Sequence, residues 1–451
     1  MFTSCSSLWT YFHCADAEKT RVYLGRSKSS PINVWLDRDD GLLPHDPFLQ
    51  IAPHAIGRVR HLFIGTMPDH LQDITNYLSH PAPLLQDLSI FGSSDDPHLN
   101  PVLPTTLFDG DLSSLRELCL HSVQTKLPWK NMDGLTSFTL GYVLEPRVTI
   151  GQLLDFFESA PSLRDVDLTF STPTSGAQIG RLVSLVHLRK LNISGFRPPP
   201  LLLEHLLIPV GVKMWIKLNM GGPRIEDYLP RSLDNLRNIS NFTRIRIHFG
   251  GYTTSMQLVG PNGDVLMVSS EPGADTTRSV AQSLAVLDTS KTERLEILRS
   301  NPLSEDFHRA LMSMKNLRTL SLSLCKDLRS FILALAPVPD STSLIMCPKL
   351  DRLVFRTGER FDVETMVEVA AARASAGSPL KSIRIINHGE LVPREGVREL
   401  LKHVSHVKTS SEISNVDDGY GDFSDIASAC GDDSGDECWG GEGYGSDSST
   451  S

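Results

Sequence analysis

Apolar residues recur along this chain in one spacing that is repeated about a dozen times. The pattern is Leu-x-x-Leu-x-Leu, or a close apolar variant, followed by a turn and an amphipathic stretch, as in Leu115-x-x-Leu118-x-Leu120. The two alternating positions predict a short strand with one buried face. Since so short a strand cannot bury that face alone, the repetition predicts that neighbouring units stack on one another.

The spacing of the units indicates the type of repeat. Successive units lie 20 to 33 residues apart, with one gap of 50, and leucine-rich repeats are about 20–29 residues long. The middle apolar residues are Leu62, Leu88, Leu118, Phe138, Val166, Leu191, Ile216, Ile245, Leu295, Leu320, Leu353 and Ile383. The pattern favours an α/β fold, an irregular leucine-rich-repeat solenoid. A doubly wound α/β domain would also alternate strands and helices, and stays open as an alternative.

Segments with helical spacing lie between the strands. Apolar residues share one helix face near Asp69–His80 and Thr149–Ala160, and Asp362-x-x-Thr365 is a typical start for a helix over Val363–Ala376. Further apolar faces are Phe307, Leu311 and Met314, then Val397, Leu400, Leu401 and Val404. We therefore expect each unit to run strand, turn, helix, with parallel strands on the concave face and helices on the convex face.

The gap of 50 residues, from Ile245 to Leu295, is about one repeat too long. Within it, two apolar runs flank Pro261-Asn262-Gly263-Asp264, and Asn-Gly between apolar runs is typical of a β-hairpin. We expect a hairpin insertion at about 253–290, projecting from the repeat, with a helix near Thr277–Leu287. Insertions into solenoids often lie on the binding face.

Charge divides the chain of 451 residues into a body and a tail. The net charge is -10, yet residues 410–451 hold eleven Asp and Glu and no Lys or Arg, so the first 409 residues carry 43 basic and 42 acidic side chains. The tail, rich in Gly, Ser and Asp, is predicted to be disordered. We therefore divide the chain into residues 1–36 (a helix and the first strand), 37–409 (the solenoid) and 410–451 (the acidic tail).

The sequence offers no motif for catalysis or membrane insertion. It lacks a phosphate-binding Gly-x-x-x-x-Gly-Lys, His-Glu-x-x-His, Gly-x-Ser-x-Gly and paired Cys-x-x-Cys, so we expect no enzyme, no cofactor and no metal site. No apolar run is long enough to span a bilayer, and seven scattered cysteines favour a reducing compartment. The neutral body and acidic tail argue against nucleic-acid binding.

Residues that flank the buried strand positions are expected to point into the groove of the solenoid. The acidic ones lie in the first half of the chain and the arginines in the second, with Glu296 as an exception. The candidate partner-binding residues are Asp87, Glu117, Asp165, Asp167, Arg244, Arg246, Arg352, Arg356 and Arg384. We hypothesise a polarised groove that is acidic near its start and basic toward its end. Chance placement of the arginines is the alternative. A basic groove would accept an acidic protein segment, or the acidic tail as an intramolecular competitor.

The N-terminal segment resembles a stretch of fungal F-box proteins with leucine-rich repeats. It contains Ser7-Leu8-Trp9, then a helical segment around Asp16–Arg26, an Arg26-Ser27 pair and a strand that begins at Pro31. In that family a Ser-Leu-Trp element closes the F-box, a helix ends in Arg-Ser, and a Pro-led strand opens the repeats. The resemblance covers about thirty residues directly and the irregular repeats loosely.

The resemblance implies the substrate-receptor part of a cullin-type ubiquitin ligase, in the cytoplasm or nucleus. The chain departs from the family because the F-box itself, which docks on the adaptor subunit, is largely missing before Trp9; no adaptor-binding residue is carried over. A partner-binding scaffold or decoy without a ligase is the alternative.

Overall fold

A computed structural model describes residues 5–14, 17–38, 55–66, 71, 74, 77–92, 102–104, 106–125, 129, 131–142, 148–169, 180–195, 200–218, 229, 233–239, 241–250, 254–261, 263–270, 280, 284, 287–299, 305–337, 345–358, 360–387 and 392–410. They form a mixed α/β fold built around one sheet of 17 strands. No helix in this part of the chain has the length and apolar character needed to cross a membrane. The tail predicted to be disordered lies outside the described residues from position 411 onward.

The elements follow the repeating pattern of the sequence. The strands are β1 (Tyr11–His13), β2 (Ile32–Arg38), β3 (Val59–Thr66), β4 (Asp87–Gly92), β5 (Glu117–His121), β6 (Ser137–Gly141), β7 (Asp165–Thr169), β8 (Val183–Ser184), β9 (Lys190–Gly195), β10 (Leu206–Leu207), β11 (Lys213–Leu218), β12 (Arg244–Phe249), β13 (Thr254–Gly260), β14 (Gly263–Ser270), β15 (Arg294–Leu298), β16 (Thr319–Ser323), β17 (Arg352–Thr357), β18 (Ser382–Asn387) and β19 (His406–Ser410). The α-helices are α1 (Ala17–Ser27), α2 (Ile150–Ser159), α3 (Pro200–Glu204), α4 (Glu305–Ser313), α5 (Leu328–Ala334), α6 (Val363–Ser375) and α7 (Arg394–Leu400).

The sheet follows chain order except at one point. Strands β1 to β7 are successive parallel neighbours, followed by β9 and β11. Next come β14, β13 and β12, and then β15 to β19 in order. All neighbours are parallel except the two that involve β13. Strands β8 and β10 form a separate parallel pair. Among the described residues β1 and β19 each pair with one strand in this sheet, so the sheet is open at both ends.

Two rows of apolar side chains run across the sheet and form its core. The first core row is Val34, Leu62, Leu88, Leu118, Phe138, Val166, Leu191, Met214, Leu266, Leu258, Ile245, Leu295, Leu320, Leu353, Ile383 and Val407, all aligned by strand pairing. A second core row runs parallel to the first, two residues further along each parallel strand and two residues earlier on the antiparallel β13, and includes Leu120 and Phe355. Every member of the first core row is buried except Val407, which is partly buried. Burying one Leu or Ile stabilises the fold by about 1.5–3 kcal/mol.

The predicted row was wrong at one strand. Leu191 aligns with Met214, and Ile216 aligns with Ile193, so Ile216 belongs to the second core row. Since side chains alternate with a period of two, a shift of two residues keeps Ile216 on the buried face. Its predicted burial is therefore correct although its register is not.

The first Leu of the Leu-x-x-Leu-x-Leu pattern closes a turn before the strand. The backbone N–H of Leu115 donates to the carbonyl of Leu112 at 3.0 Å, and that of Leu317 to the carbonyl of Met314 at 3.1 Å. The same contact from residue i to residue i−3 is made by Leu85, Leu135, Leu163, Leu188 and Leu350. The turn brings this leucine under the strand, where it is fully buried.

The hairpin predicted in the long gap exists, but it does not project from the sheet. Strands β13 and β14 pair antiparallel, with Gly260 opposite Gly263. However, β14 also pairs with β11 and β13 with β12, so the hairpin lies inside the sheet. The reason is that Leu258 and Leu266 occupy the first core row, and a projecting hairpin would expose them. Most of the helix predicted near residues 277–287 lies outside the described residues.

The helix predicted over Thr149–Ala160 is confirmed with its apolar face buried. Leu401 was predicted on a buried helix face, but it lies just after α7 and is 50% exposed. Thr149 caps α2 with a capping box to Gln152, and the Asp362 side chain accepts from the Thr365 N–H at the start of α6. The segment between β5 and β6 is described in part and has no helix in that part. Only about fifteen residues connect the end of β5 to the start of β6, and they must form two turns and cross back along the length of the strand. The expectation of one helix in every unit is therefore wrong for the short repeats.

The N-terminal segment packs as part of the sheet. Trp9 lies at the end of a 3-10 turn (Ser6–Trp9), its ring packs edge-on against Tyr23 of α1 at 5.0 Å, and the Arg26 guanidinium lies over it at 4.3 Å. Strand β1 then pairs with β2. The Trp9 element, the helix and the first strand therefore form one packed unit at the first edge of the sheet.

Candidate functional site

The sheet has one face that the core does not cover. On most strands of this face, half-exposed residues alternate with the buried core rows; in β4 these are Asp87, Ser89 and Phe91. We call the surface formed by these aligned residues the open face. The 17 strands give it a length of about 75 Å along the direction of stacking, at about 4.8 Å per strand.

The structure places all nine candidate residues on the open face. Asp87, Glu117 and Asp165 lie in one aligned row, separated only by Ser137 of β6. The other candidates are distributed as expected: Asp167 lies on β7, Arg244 and Arg246 on β12, Arg352 and Arg356 on β17, and Arg384 on β18. The acidic and basic candidates therefore occupy opposite halves of a single surface.

The acidic half contains five carboxylates. The aligned open-face positions of β2 to β7, from Asn33 to Thr169, hold Asp37, Asp87, Glu117, Asp165 and Asp167 and, among these described positions, neither Lys nor Arg. We call these five residues the acidic region.

Charge repulsion is evident within the acidic region. The His61 ring forms an ion pair with Asp87. Burial raises the pKa of Glu117, the charges of Asp87 and Asp165 raise it further, and His61 opposes them. Asp167 is already held by two hydrogen bonds, from the Thr169 hydroxyl at 2.5 Å and from the Asn192 amide at 2.7 Å. Glu117 is therefore better placed than Asp167 to meet a ligand.

A ladder of aromatic rings crosses the same strands, and the sequence reasoning missed it. Trp35 stacks on Phe63 at 3.7 Å between ring centroids, Phe63 lies 5.2 Å from Phe91, and Phe91 stacks on His121 at 4.8 Å. Tyr142 follows at 5.6 Å from His121. We call these five residues the aromatic ladder. The signal that was available was an aromatic residue at a flanking position in three successive strands.

Two glycines make room for the aromatic ladder. A Cβ atom on Gly65 would lie 3.1 Å from the Phe63 ring, and one on Gly141 would lie 2.6 Å from Cε1 of His121. Because His121 is packed among these groups, burial lowers its pKa, and Asp167 offsets part of the shift. The lowered pKa favours the neutral imidazole.

The basic half is organised around one buried carboxylate. Oε1 of Glu296 lies 2.5 Å from Arg244 Nη2 and 2.5 Å from Arg294 Nε, while Oε2 accepts a hydrogen bond from Arg246 Nε at 3.2 Å. The two Oε1 contacts are close ion pairs without hydrogen-bond geometry. Burial lowers the pKa of Arg244, and Glu296 opposes that shift. Glu296, which the sequence reasoning treated as an exception, is thus what holds three arginines together.

Positive charge continues from this cluster to the last strand. The described open-face positions of β12 and β15 to β19 hold seven cations against one carboxylate, a net charge of +6. We call these seven the basic surface: Arg244, Arg246, Arg294, Arg352, Arg356, Arg384 and Lys408. Arg384 aligns directly with Lys408, and both Arg352 and Lys408 are exposed. Arg294 and Lys408 were not among the residues predicted from the sequence, although both flank a buried strand position as the predicted arginines do.

The buried ionisable groups elsewhere serve packing. Arg373 is fully buried and donates to the carbonyls of Leu335, Met346 and Cys347 at 2.9–3.1 Å. Burial raises the pKa of the Cys347 thiol to about 12, so this thiol is a poor nucleophile. Within the described residues, no group of three or more His, Cys, Asp or Glu side chains could hold a metal ion.

No protein-family model matches the chain, and no curated protein is significantly similar to it.

Proposed function

We propose that this chain is a protein-recognition module, an irregular leucine-rich-repeat solenoid that binds an extended partner along its open face. The observation that carries the proposal is the separation of charge on that face, with five carboxylates on β2 to β7 and a net charge of +6 on β12 and β15 to β19. An oppositely polarised partner would be oriented by this surface, because complementary charge fixes register and speeds association.

The stacked architecture supports a solenoid. In the large sheet, each strand from β2 to β18 contributes one buried residue to each core row, and the first Leu of seven units closes the same turn. Each unit is thereby covered by its neighbour in the sheet. In this proposal the open face is the concave surface, and the helices and turns lie on the convex side. A long surface of this kind suits a protein segment better than a small substrate, and we propose no enzymatic activity.

Coupling to a cullin-type ubiquitin ligase is the finer part of the proposal. Its support is the sequence resemblance carried by Ser7-Leu8-Trp9 and the Arg26-Ser27 pair. The guanidinium of Arg26 lies over the Trp9 ring, so these two elements pack together. In this reading the open face selects the substrate of the ligase. The second candidate is a scaffold or decoy that binds the same partner without the ligase.

Charge reversal on the open face tests the binding proposal. Partners captured by the tagged chain in cells are compared with those of Asp87→Lys/Asp165→Lys. The matched control is Glu368→Lys/Glu395→Lys, which makes the same charge change at exposed positions of α6 and α7. We expect partners to be lost by tenfold or more with the open-face pair and retained by the control. Equal capture by all three proteins would contradict recognition through this face.

The same captures separate the two candidates. Co-purification of the adaptor subunit of a cullin ligase supports a substrate receptor. Partners that depend on Asp87 and Asp165, without any adaptor, support the scaffold or decoy.

A further inference from the structure

The acidic tail (residues 410–451) begins on the last strand of the sheet, beside the basic surface. Strand β19 ends at Ser410, two residues after Lys408, and Lys408 aligns with Arg384 on β18. The tail carries eleven Asp and Glu and no Lys or Arg. The acidic tail and the basic surface are therefore covalently adjacent.

The tail is long enough to reach the entire basic surface. From β19 to β12 the sheet has five strand spacings, or about 24 Å at about 4.8 Å each. Asp417 and Asp418 follow Ser410 by seven and eight residues, and eight extended residues span up to about 28 Å. The remaining acids, from Asp422 to Asp447, extend the reach further. Carboxylates can thus meet every cation from Lys408 to Arg244.

We propose that the acidic tail binds the basic surface of its own chain. The described open-face positions of β12 and β15 to β19 carry a net charge of +6, so this surface attracts acidic side chains. The partly buried Arg356 and Arg384 are less screened by salt than exposed groups. A tethered segment has an effective concentration on the order of 1 mM, which favours it over a separate acidic protein. An acidic partner binds this half of the open face only by displacing the tail. This inference goes beyond the proposed function and does not depend on it.

The first test uses a fluorescent synthetic peptide of residues 411–451 as the probe. Its affinity is measured for the full chain and for a full-chain variant in which all eleven tail acids are replaced by Asn or Gln. With an effective concentration on the order of 1 mM and a probe dissociation constant of about 0.1 mM, the native chain should bind the probe about tenfold more weakly than the variant. The difference should shrink at about 0.5 M salt.

Two variants of the neutral-tail chain localise the site. Arg352→Glu/Lys408→Glu changes two exposed members of the basic surface and should weaken probe binding at least tenfold. Lys213→Glu/Lys217→Glu makes the same charge change at exposed positions of β11, six to eight strands away, and should weaken it by less than threefold. Equal losses would overturn the assignment to the basic surface, as would equal probe affinity of the native and neutral-tail chains.

Cross-linking keeps the inference testable if a variant fails to fold. A carbodiimide should join the amine of Lys408 to tail carboxylates in the native full chain. In a mixture of isotope-labelled and unlabelled chains, we expect the joined peptides to come from one molecule. Mixed pairs, together with tail-dependent dimers in sedimentation, would show that the tail binds a second copy and would overturn the intramolecular contact. Absence of any Lys408 cross-link to the tail would overturn it as well.

Discussion

Replacing Glu296 by Gln should weaken the sheet at one defined place. Arg244 and Arg294 are direct cross-strand neighbours, and like charges at such positions repel each other. Glu296 lies between them with a side chain that is 6% exposed, and it also bonds Arg246. Glutamine keeps the shape and one acceptor oxygen but removes the negative charge that the three guanidinium groups share.

The expected cost follows from the burial of the cluster. Removing one partner of a fully buried ion pair costs about 3–5 kcal/mol. Here the side chains of Arg246, Arg244 and Arg294 remain 13%, 19% and 35% exposed, so water can replace part of the lost interaction. We therefore expect a loss of about 2–3 kcal/mol in the local opening free energy, which corresponds to amide exchange about 30–150 times faster.

Amide hydrogen exchange detected by mass spectrometry measures the local opening free energy strand by strand. This resolution is needed because a stacked fold need not unfold in one step. Faster exchange should appear in β12 and β15 and not in β3 to β5. Glu293→Gln, which removes an exposed carboxylate three residues earlier than Glu296, is the control and should change local stability by less than about 0.5 kcal/mol. The double variant Glu296→Gln/Arg294→Gln should recover part of the loss. Exchange that changes less than threefold, or equally in the control, would refute the reasoning.

Two further predictions concern the aromatic ladder. Gly141→Ala places a methyl group 2.6–2.8 Å from three atoms of the His121 ring, and displacing that ring should cost about 1–2 kcal/mol of folding stability. Thermal melting should show no such loss for the control Gly358→Ala, whose Cβ meets no atom within 4 Å. An equal effect of the two changes would contradict the packing argument. His121→Phe should flatten the pH dependence of folding stability. In the native protein the pKa of His121 is lowered, so unfolding takes up a proton at pH values between the folded-state pKa and the usual value of 6.5. Native stability therefore rises with pH through that window and falls on acidification. Denaturant titrations of both proteins from about pH 5 to about pH 7.5 measure the difference, and parallel curves would exclude His121 as its source.

The strand faces could be predicted because they depend on neighbours in sequence. A residue between two buried positions of a strand must point to the opposite face, so Glu117 and Arg352 could be placed on the open face from their spacing alone. The same rule places Phe63 and Lys408 on the open face, because both flank buried strand positions. The short connection between β5 and β6 also leaves too few residues for a helix, and the number of residues in the connection alone indicates this.

What the sequence by itself determined is the buried pattern: which face of each predicted strand is apolar, that a hairpin follows Phe249, and that acids and bases lie in different halves of the chain. Only the tertiary structure decided which strands are neighbours. Pairing β11 with β14 and β12 with β15 depends on contacts between residues about fifty positions apart, and no local periodicity specifies them. That pairing places Glu296 among three arginines, and pairing across β2 to β5 brings Trp35, Phe63, Phe91 and His121 into one ladder.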